Sequence, residues 1–191
     1  MAPSTPKASD AAASTRLSAD DWIRAAFEIM VDEGIGGVKI QRLCERLGVT
    51  KGSFYWHFVD IDAFHGALAK RWAEEAAHLP GDLEPDADAE AVMLGAMGIL
   101  SDRRNRNLIR AMRNWAHDDD RARAAIREAD RLLFGQVKAA FVALGFDDDD
   151  ADVRAKVLYY AGVGFVHVGA LGRRPSPGDQ LAATWEILTK R

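Results

Sequence analysis

The sequence predicts an all-α protein, and three observations carry that expectation. Apolar residues recur at helical spacing in almost every segment. Strand-like alternation of apolar and polar residues is absent. Short runs of Gly, Pro and Asp separate each periodic stretch from the next. The arrangement expected is a three-helix N-terminal helix-turn-helix unit followed by a larger C-terminal helical bundle, about nine helices in all.

The first seventeen residues, MAPSTPKASDAAASTRL, are rich in Ala, Ser, Pro and Thr and lack the apolar centre of a signal peptide. They read as a disordered tail. In the first helix Ile23, Ala26, Phe27 and Met30 share one face, with Ser18 as N-cap, Asp21 three residues on, and Gly34, Gly36 and Gly37 at its end. The second repeats the pattern with Ile40, Leu43, Cys44 and Leu47, and stops at Gly48. Val49 follows as a small hinge, and Thr50 is the natural cap of a third helix of about eight residues, whose inward face is Phe54 and Phe58. A fourth runs from about Ile61 to Ala77, with Phe64, Leu68 and Trp72 inward.

The stretch HLPGDLEPDAD, from His78 to Asp88, is the sharpest break in composition. Beyond it, periodic segments lie near Ala89–Leu100, Arg104–Trp115, Asp120–Leu144, Ala151–Leu171 and Pro177–Lys190. The domain division expected is a tail at 1–17, a helix-turn-helix domain at 18–65, and a larger helical domain at 66–191.

Composition narrows the function classes. The chain has 191 residues, 48% hydrophobic and 28% charged, an ordinary soluble make-up. Cys44 is the single cysteine, so no internal disulfide can form, and no apolar run approaches a membrane span. A cytoplasmic location follows as an expectation. The net charge of −4 argues against a protein that coats nucleic acid without selection. Between Lys39 and His57, however, stand Lys39, Arg42, Arg46 and Lys51 against the lone carboxylate of Glu45. One basic surface on an acidic chain points to an anionic partner held at one place.

Within that surface lies VTKGSFYWHF, residues 49–58. Phe54 and Phe58 share a helical face, so Tyr55, Trp56 and His57 project elsewhere. The second helix of a helix-turn-helix can enter a DNA major groove with its N-terminus leading. Lys51 would stand at that entering end, Gly52 would let backbone approach a duplex, and Ser53 would bond a base edge or phosphate. The phenol, indole and imidazole would donate to phosphates or pack on a sugar or thymine methyl, with Arg42 and Arg46 meeting the backbone alongside. The other reading is that Tyr55 and Trp56 pack on the fourth helix with only their polar tips in water.

Residues 18–70 closely resemble the N-terminal DNA-binding domain of the TetR family of bacterial transcriptional regulators. The resemblance rests on Gly34, on Ile40–Gln41–Arg42–Leu43, on GVTKGSFYWHF from Gly48 to Phe58, and on Asp60, Asp62, Phe64 and Leu68. It implies that Lys51, Gly52, Ser53, Tyr55, Trp56 and His57 occupy DNA-meeting positions of the recognition helix. It also implies that Thr50 contacts phosphate from the cap, and that Gln41 and Arg42 touch backbone or base. Two positions depart from the pattern: Lys39 replaces the usual Ser or Thr cap, supplying a possible phosphate-binding ammonium, and Ile61 stands where a Lys is frequent. The remainder of the chain resembles the family in layout alone, which implies effector binding and homodimerisation there.

For the dimer surface the sequence offers Leu158, Ala161, Phe165, Val168 and Gly172 on one stripe, with Gly162, Gly164 and Gly169 permitting close approach, and Leu181, Trp185 and Leu188 on the last helix. The alternative is that these stripes pack within one subunit. For an effector pocket the candidates are Met93, Met97, Leu100, Met112, Trp115, Phe134 and Phe141, which suit an apolar or amphipathic small molecule or are plain core. His167 is either a polar fixture of that pocket or a hydrogen-bonded interior residue, and His117 either such a fixture or a helix-end one. The arginines at 103, 104, 106, 110 and 113 form a solvated face or pair with acidic residues of the N-terminal unit.

The function expected is a DNA-binding transcriptional regulator: a ligand-responsive repressor that binds a palindromic duplex as a homodimer. A helical carrier or protein-interaction module without DNA binding is the alternative, and an enzyme is a further one. The five histidines show no HExxH pairing, and neither a phosphate-binding glycine loop nor a nucleophile elbow occurs. His117 beside Asp118–Asp120 reads as acid–base or metal chemistry, or as a helix cap and solvated loop. No catalytic residue, metal or cofactor is assigned.

Overall fold

A computed structural model describes residues 17–77, 89–168 and 177–190. Every regular element among them is helical. α1 spans Ala19–Glu33, α2 Ile40–Leu47, α3 Lys51–Tyr55, α4 Ile61–Ala77, α5 Ala89–Ser101, α6 Arg103–Trp115, α7 Asp120–Ala143, α8 Asp148–Val168 and α9 Pro177–Thr189. The all-α expectation holds.

Local chemistry sets several of these boundaries. At α1, Ser18 Oγ accepts from the Asp21 amide at 3.3 Å while Asp21 returns a carboxylate oxygen to the Ser18 amide at 2.8 Å. Two of the donors a helix start leaves open are thereby satisfied. A 3-10 turn at Ile35–Gly37 follows, and a Cβ at Gly37 would lie 2.5 Å from Glu33 Cβ, so only glycine fits that approach. α8 begins three residues earlier than the sequence pattern indicated. Asp147 caps it, its Oδ1 accepting from the Asp150 amide at 2.9 Å, and Asp148–Asp150 form the first turn, where negative charge suits the helix dipole.

Two apolar cores follow. The first gathers Trp22, Phe27, Leu43, Phe54, Phe64, Leu68 and Trp72 from α1–α4 together with Met112, Trp115, Ala122 and Ile126 from α6 and α7. The second gathers Val137, Phe141, Phe146, Ala151 and Ala155, with Trp185 and Leu188 of α9 packed on it. α7 serves both, its first turns entering one core and its last turns the other. The expected domain division at 65/66 falls inside α4, whose Phe64, Leu68 and Trp72 all enter the first core. Leu17, placed by the sequence in the tail, also packs against that core, whereas residues 1–16 and the 78–88 break lie outside the described residues.

The N-terminal helices are tied to the bundle by charge as well as by packing. Arg121 of α7 donates to the Asp62 carbonyl at 3.0 Å, to the Asp62 carboxylate at 2.9 Å and to Asp119 at 2.8 Å. Among the described residues, no helix is long and apolar enough to cross a membrane.

Candidate nucleic-acid interface

The turn between α2 and α3 is built on Gly48, which adopts φ 68°, ψ 32° and donates its amide to the Cys44 and Glu45 carbonyls. A side chain there would be strained, and glycine is not. Thr50 takes the extended N-cap conformation of α3 without a side-chain cap bond, and is exposed. α3 is a regular helix for five residues, not eight. Gly52 and Ser53 are weak helix formers, and Trp56 and His57 relax into a turn. The geometry persists one step further, since the Phe58 amide still reaches the Phe54 carbonyl at 3.0 Å.

Phe54 is the anchor. It is fully buried, with Trp22 at 5.4 Å, Phe58 at 5.5 Å and Phe64 at 5.6 Å between ring centroids. These contacts fix the rotation of α3, and so decide what its other face presents. Trp56 is 74% exposed and Tyr55 56%. Neither aromatic is sealed against α4. Lys51 and Gly52 are also exposed, and Ser53 is half-buried. A Cβ at Gly52 would touch nothing nearer than the Thr50 hydroxyl at 3.6 Å, leaving the backbone open to close approach. His57 departs from the expected fan of three: it is half-buried, its ring 6.4 Å from Trp22.

The cations on α2 are less open than the sequence suggested. Arg42 donates through Nε and Nη2 to Glu33 at 2.9 and 2.8 Å, and Glu45 lies 3.9 Å away. That bond to Glu33 raises its pKa. Arg46 donates through Nε to Glu28 at 3.0 Å, and the bond holds the Glu28 carboxyl below its ordinary range. Either guanidinium would have to exchange its carboxylate for a phosphate. Glu28 and Glu33 lie 18 and 9 residues away in sequence, beyond what helical spacing reveals. Gln41 is exposed and donates to Glu45 at 3.0 Å, and Lys39 caps α2 by backbone alone with its ammonium in solvent. Val59, to which no sequence signal pointed, is 77% exposed just after the α3 turn.

Most of the described side chains among those expected to line one pocket divide between the two cores. Met112 and Trp115 are buried in the first core, and Phe141 in the second. Phe134 packs on the second core with its ring 6.5 Å from Tyr159, and Leu100 lies against Gly162. His167 is exposed, not an interior residue. The side chains of Met93 and Met97 lie outside the described residues.

The residues offered for the dimer stripe divide between two faces of α8. Leu158 packs on the second core and Phe165 is half-buried beneath Arg106, whereas Ala161 and Val168 are exposed. The exposed apolar stripe of α8 is instead Val153, Val157, Tyr160, Ala161, Gly164 and Val168. At roughly 100° per residue, the expected stripe straddled the edge between this face and the buried one. Trp185 and Leu188 pack inward, and Ile187 is the exposed apolar residue of α9; Gly172 and the Leu181 side chain lie outside the described residues.

Comparison with known proteins places this geometry. Residues 23–68 match the family model described as bacterial regulatory proteins, tetR family. Tetracycline repressor protein class A from transposon 1721 of Escherichia coli is 33% identical over 81 residues, covering 42% of this chain and 37% of the repressor. The chain thus matches little more than a third of that relative's length. Among solved structures, a transcriptional regulator from Rhodococcus sp. Rha1 superposes with a TM-score of 0.70 at 20% identity, over 91% of this chain and 94% of that one. BioQ, solved with its double-stranded DNA operator, gives a TM-score of 0.52 at 24% identity over 92% and 99%. The structural match extends the shared fold to the bundle behind the turn, and the sequence match covers the helices that build the turn and its anchor: residues 23–68 are similar to the DNA-binding domain of the tetR family of bacterial regulatory proteins.

Proposed function

We propose that the chain is a DNA-binding transcriptional regulator, a ligand-responsive repressor that engages a palindromic duplex as a homodimer. The observation that carries this reading is the pose of α3: Phe54 wholly buried while Tyr55 and Trp56 at its end stand in solvent beside Lys51 and an open Gly52 backbone. So much apolar ring area left in water is costly, and a thymine methyl or sugar would cover it. The tetracycline repressors among its relatives and the DNA-bound BioQ neighbour support the same assignment.

In this reading Thr50 and Lys51 meet phosphates, Gly52 admits the groove edge, and Ser53, Tyr55 and Trp56 meet bases or sugars. Lys39 and Gln41 flank from α2, Arg42 joins once it leaves Glu33, and His57 acts mainly by holding α3 against Trp22. Two copies are required because so short a helix covers few base pairs, and their recognition helices would sit about 34–36 Å apart. Effector binding among the C-terminal helices would favour a different spacing and release the duplex.

The test is selection of bound fragments from random DNA, followed by titration of the enriched duplex. Trp56→Ala is expected to cost about 1–3 kcal/mol of duplex binding, and Lys51→Ala to weaken binding and lower the salt slope by about one. Circular dichroism should show both variants folded. Unchanged binding in both would remove the assignment of α3.

A further inference from the structure

Arg106, Arg110 and Arg113 follow one another on α6 at steps of four and three, which stacks them on one face. That face is not solvated; it is turned toward α8 and α7. Arg106 lies over the Phe165 ring at 5.3 Å and donates to the carbonyls of Leu100 and, at 2.7 Å, Ser101, where α5 ends. Arg110 donates to Asn107 Oδ1 at 2.5 Å and reaches the Val166 carbonyl only at 3.5 Å. Arg113 grips Asp130 through both terminal nitrogens, at 3.2 and 2.6 Å, and donates to the Tyr159 hydroxyl at 3.2 Å. Its Nε is buried without a hydrogen-bond partner.

The charges do not balance. Among the described residues, one carboxylate, Asp130, faces three guanidinium groups. The carbonyl end of α5 offsets some of the Arg106 charge. Arg110 is half-buried with no carboxylate partner among the described residues, and most of its five N–H donors are unused. Arg104, by contrast, points away and meets Glu28 of α1 at 3.3 Å. A partly desolvated cation without a counter-ion is costly, and a ligand that supplies the missing negative charge recovers that cost.

We propose that the seam between α6 and α8 binds the carboxylate of a small amphipathic organic acid, received by the Arg110 fork and the free Arg113 Nε–H. Arg110, which has no carboxylate partner among the described residues and reaches the Val166 carbonyl only at 3.5 Å, calls for one negative charge. Phe165 and Phe134, with Tyr159 beside the latter, supply flat apolar surface for the body of the molecule. Burial pushes the Tyr159 hydroxyl up to about 12, so it stays a neutral phenol at the ligand's edge. This assignment rests on the ligand-responsive reading above and names the chemistry of its effector.

The experiment titrates the full chain by calorimetry with sodium decanoate below its micelle concentration, with 1-decanol as the uncharged control. Decanoate is expected to bind saturably, and decanol at least tenfold more weakly. Arg110→Met, which keeps the packing stem, should lose at least tenfold in decanoate affinity, and Arg110→Lys, which keeps charge but loses the fork, should fall between. Equal binding of decanol, undiminished binding by a folded Arg110→Met, or no decanoate binding would each overturn the site. Duplex release is read separately: decanoate binding without release keeps the site and removes the ligand-responsive reading, and duplex binding without decanoate binding does the reverse.

Discussion

Glu33 sets how much of the α2 charge a duplex can meet, because it holds Arg42 by two hydrogen bonds. DNA must displace it or leave that guanidinium unused. Glu33→Gln is therefore expected to tighten duplex binding a few-fold and to steepen its salt dependence by up to about one phosphate contact, measured by titration at several salt concentrations. A flat response would mean that Arg42 stays on α1 in the complex. Phe54 works in the opposite sense: it touches no partner, yet it orients everything that would. Phe54→Ala should cost about 3–5 kcal/mol of stability, read from denaturant midpoints, since a fully buried ring leaves a cavity behind. The aromatic division was legible in the sequence, because helical rotation alone separates Phe54 from Trp56. The Arg42–Glu33 and Arg46–Glu28 pairs were not, because partners on another helix leave no periodic trace.

At the scale of elements, caps and stops were readable where the chemistry is local. Ser18 with Asp21, and Gly48 before Thr50, mark their boundaries within four residues of themselves. Which core a buried residue joins was not readable: Met112 and Phe141 have similar patterns, but one faces the first core and the other the second. The start of α7 gives a pH prediction. Asp119 accepts from the Arg121 side chain and from the Arg121 and Ala122 amides, which holds its carboxyl at about 2, below the ordinary 3.8. A folded-state value below the unfolded one contributes stability that is complete above about pH 4 and is lost as pH falls toward 2. Asp119→Asn should therefore melt below the parent at neutral pH, and the gap should close between pH 4 and 2 in a series of thermal melts.

For the whole molecule, the question is what covers the stripe of Val153, Val157, Tyr160, Ala161, Gly164 and Val168. Contiguous exposed apolar surface of this kind marks an interaction face. If the chain binds a palindromic duplex as proposed above, a second copy of the chain is the occupant that fits. Val157→Lys combined with Tyr160→Glu is expected to shift sedimentation from dimer to monomer while the helical content holds, and to weaken duplex binding with it. A dimer that survived both changes would place the interface elsewhere. The stripe read from the sequence shares Ala161 and Val168 with this one and takes Leu158 and Phe165 from the partly buried side, because small residues blur the contrast between the two faces.

Finally, α7 is one unbroken rod of 24 residues, roughly 36 Å long, with its two ends packed in different apolar centres. Such a rod transmits tilt with gain. A pivot of roughly 10° about its far end would sweep the Arg121 end through about 6 Å, more than one helical turn of rise. Because Arg121 holds Asp62 of α4, and Phe64 of α4 packs on Phe54 of α3, that sweep would carry α3 along with it, so a sub-ångström adjustment in the bundle need not stay small by the time it reaches Trp56.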